Sequence, residues 1–207
     1  MNKLTIISLP LLLTSFITFG VFAQSSGDVT VGVGAIQLRP KSDNGKLGHG
    51  TLPTTVDNDI KPSLTFEYFI FEHLGIELLT SMPLESDISI KGLGKVGNTK
   101  ILAPTISLQY HFREQEIASP FIGAGLNYTT FLDESTRGAL EGSRLSLEDS
   151  WGLALHAGID FRVNKNSAIR IDMRWIDVDT NTRLNGESIG TVHVDPISYG
   201  AYYVIGF

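Results

Sequence analysis

The sequence predicts an all-β fold, an eight-stranded antiparallel transmembrane β-barrel with short periplasmic turns and long extracellular loops. Apolar residues recur at alternate positions from Val29 to the chain's end, and connectors alternate between short and long. Every lysine after Lys3, from Lys41 to Lys165, falls in or at the edge of a connector. Alternation means strands, because successive side chains point to opposite faces of the pleat.

The chain has 207 residues, a length that one β-barrel domain accommodates. Residues 1–23 read as a signal peptide: Lys3 gives the positive end, Leu4 to Phe22 the apolar run, and Val21-Phe22-Ala23 the small-residue cleavage site. Residues 24–207 are then the outer-membrane barrel. Beyond Ala23 no apolar run approaches the ~20 residues that a spanning helix needs. Passage through lipid therefore requires a closed barrel, the other structure that satisfies its own backbone polar groups there. The absence of cysteine excludes disulfides and thiolate sites. The net charge is −6, or −7 without Lys3, and basic residues are scattered, which argues against nucleic acid as a partner.

Eight apolar rows define the strands in order. The first four are Val29, Val31, Val33 and Ala35; Leu64, Phe66 and Tyr68; Leu74, Ile76 and Leu78; and Ile106, Leu108, Tyr110 and Phe112. The last four are Ile122, Ala124, Leu126 and Tyr128; Trp151 through Phe161 at alternate positions; Ile169, Ile171, Met173 and Trp175; and Tyr199, Ala201, Tyr203, Ile205 and Phe207. Short turns are expected near Phe71 to His73, Arg113 to Ser119 and Arg162 to Ser167. Long polar loops are expected at Arg39 to Lys61, Leu84 to Ile101, Leu132 to Asp149 and Asp179 to Asp195.

Alternation alone does not say which face meets lipid. The lysine distribution does, since a lysine on the lipid face at mid-bilayer costs ~2–4 kcal/mol. The opposite face carries Gly32, Gly34, Gly123, Gly125, Gly152 and Gly158 with Glu67, Glu77, Gln109, His111, His156, Asp160, Arg170, Asp172 and Arg174. Small residues and opposite charges suit a narrow interior, whereas a soluble ligand-binding barrel would put bulky apolar groups there. Aromatic belts are expected at the periplasmic ends (Phe71, Tyr110, Phe112, Phe121, Phe161, Phe207) and at the outer ends (Tyr128, Trp151, Trp175).

Several segments carry a family resemblance: Arg39-Pro40, Gly75 to Leu79 with Pro83 after it, Pro120 to Phe131, Leu145 to Gly152, and Ile176 to Thr180. In these the chain resembles the outer-membrane-protein-W family over essentially all of 24–207, most specifically from Pro120 to Gly152. The resemblance implies an eight-stranded barrel with a narrow, largely apolar passage for small hydrophobic molecules. It also implies a channel constriction at Leu79. Arg174 stands where some relatives place an aromatic ring, a departure from a uniformly greasy bore. Tyr203, Ile205 and Phe207 resemble the C-terminal assembly signal read by the barrel-assembly machinery. Outer-membrane lipid, lipopolysaccharide and small hydrophobic solutes are the other expected partners.

Glu67, Glu77 and Asp172 are expected to pair with Arg170 and Arg174 across neighbouring strands, since charges removed from water need partners. The lumen charge network also includes His111, His156 and Asp160, as a structural plug or as a gate. His156 and Asp160, four residues apart at ~3.3 Å each, lie ~13 Å apart and form no catalytic dyad, so no enzymatic activity is expected. His193 with Asp195, or Asp177 with Asp179, offers too few ligands for a metal site, and no cofactor is expected. Pro83 and Pro104 remove ladder hydrogen bonds from strands three and four and are lateral-exit candidates. Two functions follow: passive passage of small hydrophobic molecules through the barrel interior, with or without lateral exit into lipid, or a non-conducting structural, adhesion or receptor barrel acting through its extracellular loops.

Overall fold

The computed structural model of the chain describes residues 24–41, 46–47, 52–56, 59–112 and 117–207, with 46–47 and 52–56 as backbone. The expected signal peptide lies outside the described residues. Eight strands close the wall: β1 (Val29–Arg39), β2 (Asp59–Phe71), β3 (Leu74–Ser81), β4 (Thr105–His111), β5 (Ala118–Thr136), β6 (Ser150–Asn164), β7 (Ser167–Ile176) and β8 (Ile197–Gly206). Each pairs antiparallel with the next, and β8 returns to β1 with Val33 opposite Tyr203. Closure gives each strand two partners, the condition for exposing β-structure to hydrocarbon.

The apolar rows face outward. Val33, Leu64, Phe66, Ile106, Leu108, Ile122, Leu126, Leu153, Leu155 and Ile171 are all exposed, while Glu67, Glu77, Gln109, His111, Arg170 and Arg174 are fully buried. An apolar band of this size around a charged interior is stable only with acyl chains against it. Tyr110 and Phe112 meet edge-on at 5.4 Å at the periplasmic end, and Tyr128 stacks on Trp151 at 4.8 Å at the outer end. Phe121 does not belong to the belt expected for it. It is 1 % exposed and points into the bore, because Ile122 occupies the outward position beside it.

The long connectors depart further from expectation, since they are largely strand rather than polar loop. Leu84–Ile90 and Gly94–Leu102 form a hairpin that continues β3 and β4 outward and pairs with the outer end of β5, from Leu102 opposite Thr130 to Gly97 opposite Thr136. Leu52–Val56 lies along Leu84–Ile90. A second hairpin, Asp179–Leu184 with Glu187–His193, turns on Asn185-Gly186, both at positive φ as a tight hairpin requires, and carries Leu145–Leu147 as a third strand. The driving force is apolar burial. Leu84, Ile88, Ile90, Val96, Ile101, Phe131, Leu145, Leu147, Val178, Val192 and Val194 turn inward and cluster, each contributing ~1.5–3 kcal/mol when fully buried.

Lysine at position 171, midway along β7 on the lipid face, tests this orientation. Ile171→Lys is expected to lower folding stability in phospholipid vesicles by ~2–4 kcal/mol, read from urea titration; a change near zero would mean that this face is not in hydrocarbon.

Candidate functional site

The bore has two storeys. In the lower one, Arg170 of β7 is the central cation. Its Nε and Nη2 donate to the two carboxylate oxygens of Asp160 at 2.7 and 2.9 Å, its Nη1 to Glu77 Oε2 at 3.1 Å, and its Nη2 also to Glu67 Oε2 at 3.2 Å. Asp160 is its register partner on β6. Glu67 and Glu77 belong to β2 and β3, which do not adjoin β7. The expected neighbour-strand pairing is thus corrected: a guanidinium reaches across a narrow cylinder and binds the far wall. Arg174, two inward positions further out, donates to Glu77 Oε1 at 2.6 Å and to Asp172 Oδ2 and Ser107 Oγ at 3.5 Å.

Around these pairs the remaining polar groups interlock. His111 Nε2 lies 2.8 Å from Glu67 Oε1, and Gln109 Nε2 donates to both Glu67 oxygens at 3.1 and 3.0 Å. His156 Nε2 lies 2.9 Å from Gln109 Oε1. Because an amide oxygen only accepts, this contact puts a proton on His156 Nε2. Phe121 closes the cluster from one side, with the Arg170 guanidinium carbon 4.6 Å from its ring centroid, a cation–π contact in a desolvated setting. Two glycines are required by the crowding. A Cβ on Gly123 would lie 2.2 Å from His156 Nε2, and one on Gly158 2.4 Å from Phe121 Cζ. At the periplasmic end Gln24 is buried, donating from Nε2 to Ser119 Oγ at 3.0 Å.

His111 and His156 each have a partner within the network. His156 binds Gln109 and Asp160 binds Arg170, so the two do not meet; His111 Nδ1 lies 3.8 Å from Asp160 Oδ2, beyond hydrogen-bond reach.

The upper storey is chiefly apolar, with Thr99, Thr129, Thr180 and Thr182 buried among its aliphatic side chains. Leu79 is 3 % exposed and one inward position above Glu77; the small cluster it joins, with Ile36, Ala168, Tyr202 and Val204, runs down beside the charges, since Val204 pairs with Ala168 and Tyr202 with Arg170. Above it, a cavity of about 20 Å³ is lined chiefly by aliphatic side chains, among them Ile88, Val96, Ile101, Leu145 and Val192. A second, of about 10 Å³, shares Ile101, Phe131 and Val194 with the first and adds Leu38, Ala103 and Ile176. The larger has room for about one water.

Between the storeys the wall is interrupted. The β3–β4 ladder ends at Leu79 opposite Thr105 and resumes outward at Leu84 opposite Ile101, one residue out of register. Met82-Pro83 and Ala103-Pro104 face each other across the interval. Their outer edges stay attached, with Met82 N–H donating to Pro62 O and Tyr128 N–H to Pro104 O, each at 3.0 Å. From Leu74, eight residues of tilted strand rise roughly 20 Å. This seam therefore opens toward the outer half of the hydrocarbon layer.

At the outer rim, Asp177, Asp179 and Asp195, which the sequence offers as separate pairs with and without His193, come together with ligand atoms within 4.8 Å. Lys41 Nζ lies 2.5 Å from Asp195 Oδ2, and His193 Nδ1 lies 2.5 Å from Asp179 Oδ1. Burial and the neighbouring Asp179 and Asp195 charges push the Asp177 carboxyl up. Burial also opposes ionisation of Asp195, but Lys41 and the Val178 amide outweigh it and hold that carboxyl low. Sequence reasoning missed a polar cleft of about 970 Å³ between the outer segments, lined by Glu134, Ser143, Arg144, Ser146, Arg183 and Asn185. Its only sequence signal is the Asn185-Gly186 turn that forms one side.

Residues 25–203 match the OmpW family. The chain is similar to outer membrane protein W of Escherichia coli strain K12, 32 % identical over 95 % of each chain. It is 29 % identical over 74 % of each chain to the dibenzothiophene metabolism operon protein PahQ of Pseudomonas aeruginosa. Among solved structures it resembles the outer membrane protein OprG of Pseudomonas aeruginosa, with a TM-score of 0.78, 30 % identity, and coverage of 91 % of this chain and 98 % of that one.

Removing one partner of a buried ion pair strands the others without solvent. Arg170→Met is expected to destabilise the barrel by ~3–5 kcal/mol in vesicle urea titrations, whereas Arg144→Met, at the exposed cleft, is expected to shift it little. Equal effects would contradict the buried network. For Asp177, a raised carboxyl pKa favours the folded state when protonated and costs stability as pH rises past its ordinary value. Asp177→Asn is therefore expected to raise the thermal midpoint at pH 7 and to leave it unchanged near pH 3. An equal gain at both pH values would mean that ionisation of the Asp177 carboxyl is not the cause.

Proposed function

We propose, from the premise that this chain belongs to the OmpW family of outer-membrane barrel proteins, that it passes small hydrophobic molecules from its outer end into the membrane sideways. The observation that carries this reading is the order of layers along the bore. An apolar upper storey ends on a fully buried charge network, and the interrupted ladder at Pro83 and Pro104 lies where they meet. A neutral apolar solute entering from outside meets aliphatic side chains first. To continue downward it would have to displace paired charges, and a desolvated charge left unpaired costs several kcal/mol. The seam offers a path that breaks no ladder pair.

On this reading Leu79 and Arg174 form the constriction. Leu79 opposes Thr105, next to Pro104, and so forms the lower lip of the seam, while Arg174 with Glu77 is the barrier beneath it. The packed cavity means that entry widens the upper storey by moving the outer hairpins. The name of PahQ ties one relative to the metabolism of dibenzothiophene, an apolar polycyclic compound, and this supports an apolar solute. Lipopolysaccharide would face the outer belt. Tyr203, Ile205 and Phe207, all outward, would serve the assembly machinery. The packed cavity and the polar outer cleft favour the second reading, a non-conducting barrel that acts through its extracellular segments.

Uptake of a graded solute series into vesicles with a lipopolysaccharide outer leaflet separates the two. The transport reading expects rates that rise with solute hydrophobicity, and a several-fold slowing by Leu79→Trp. Equal rates with and without the protein, or rates untouched by Leu79→Trp, would leave the non-conducting reading.

A further inference from the structure

We propose that Asp59 is the positioning residue that sets the opening of the seam, holding the outward continuation of β3 at Glu85 through its side chain; this rests on the lateral-exit reading above. The β2–β3 ladder runs to Ser63 opposite Ser81. Farther out, Leu52–Val56 pairs with Leu84–Ile90, from Val56 opposite Ile88 to Thr54 opposite Ile90, at the same offset. Between these stretches the described bonds across the interface are Met82 N–H to Pro62 O at 3.0 Å and Glu85 N–H to Asp59 Oδ2 at 2.7 Å. Asp59 and Glu85 sit opposite each other at that same offset, so a side chain stands in for the backbone carbonyl that a regular ladder would supply.

Three features make this carboxylate suited to the task. Its backbone is fixed, because Asp59 pairs with Leu38 of β1. Its other oxygen, Oδ1, accepts the Ile60 N–H at 2.7 Å, which orients the group, and Lys61 Nζ lies 3.4 Å from Oδ2. A charged acceptor binds an amide more strongly than a neutral carbonyl does. It can also let go by turning about its side-chain torsions, which a backbone carbonyl cannot do without moving the strand.

The mechanical consequence follows from the neighbouring interface. Pro83 brings no N–H, and Met82-Pro83 has no ladder pair with Ala103-Pro104. Without the Asp59 bond, the segment from Pro83 to Glu85 loses its tie to β2; on its other edge Pro83 borders the seam, while Leu84 and Glu85 stay paired with Ile101 and Lys100. The latch on one edge therefore governs the width of the gap on the other.

Amide exchange of Glu85 by NMR, together with naphthalene uptake into vesicles with a lipopolysaccharide outer leaflet, tests this. Asp59→Ala is expected to speed Glu85 exchange at least tenfold and uptake at least twofold. Asp59→Asn, whose amide oxygen still accepts, is expected to return both toward wild type, a rescue that a merely structural role would not give. Should Asp59→Ala fail to fold, Asp59→Glu, which displaces the acceptor by one methylene, carries the same expectation with smaller effects. Unchanged Glu85 exchange, or uptake unchanged or slowed, would overturn the proposal. The chain has no cysteine, so Met82→Cys with Ala103→Cys can be bridged selectively by a bis-maleimide. Full uptake through the bridged wall would remove the lateral-exit reading itself. Blocked uptake there, with Asp59→Ala behaving as wild type, would remove the Asp59 role alone.

Discussion

Arg170 has to be satisfied inside a cylinder with hydrocarbon around it and almost no space within it, and much of the architecture follows from that requirement. A guanidinium presents five donors in a fixed fork, so its partners must arrive from several directions. Asp160 comes from the adjacent strand and Glu67 and Glu77 from the far wall, which ties β6 and β7 to β2 and β3 across the bore. Glu77 then holds Arg174, Glu67 collects Gln109 and His111, and His156 joins through Gln109. The glycines beside His156 and Phe121 are the room this arrangement needs. Such a network specifies strand order and register more than it adds net stability, since desolvation offsets much of the attraction between buried charges.

The charged storey also explains the apolar one. Once the lower bore is filled with ion pairs, the outer end can be apolar without becoming a water-filled pore, and the inward aliphatic cluster pulls the long connectors into strands. The two storeys meet where the third strand changes phase. Its inward residues are odd-numbered below the junction, at Gly75, Glu77 and Leu79, and even-numbered above it, at Leu84, Ser86, Ile88 and Ile90. A one-residue slip reverses which side chains face the core. The ladder absorbs the slip at two prolines that have no N–H to lose, and the wall's weak point thus sits at the boundary between its two interiors.

The same phase change marks the limit of what the sequence reveals. Eight strands, their outward rows and the inward charges are legible because alternation and charge placement repeat in register with the pleat. The outer hairpins are not legible in this way. Across Pro83 the alternation restarts on the opposite parity, and Glu85, Asp87, Lys95 and Lys100 on the wet face resemble loop composition. Phe121 illustrates a smaller limit, since an aromatic near a strand end suits either a belt or a bore and only its parity with Ile122 decides. The network's members are visible as inward residues, but their cross-bore pairing depends on barrel curvature, which no strand encodes alone. Asp59 is invisible for the same reason, because it matters only opposite an amide that has lost its carbonyl.

On the proposed route an apolar solute reaches the seam and stops above the charges. A spin-labelled alkyl solute bound to the barrel in nanodiscs, with amide relaxation enhancement read by NMR, tests it most directly. Enhancement is expected at Leu84, Ile101 and Ala103 and none at Phe69 and His111 in the lower bore. Strong enhancement at Phe69 and His111 would show that solute runs the length of the cylinder and would contradict it.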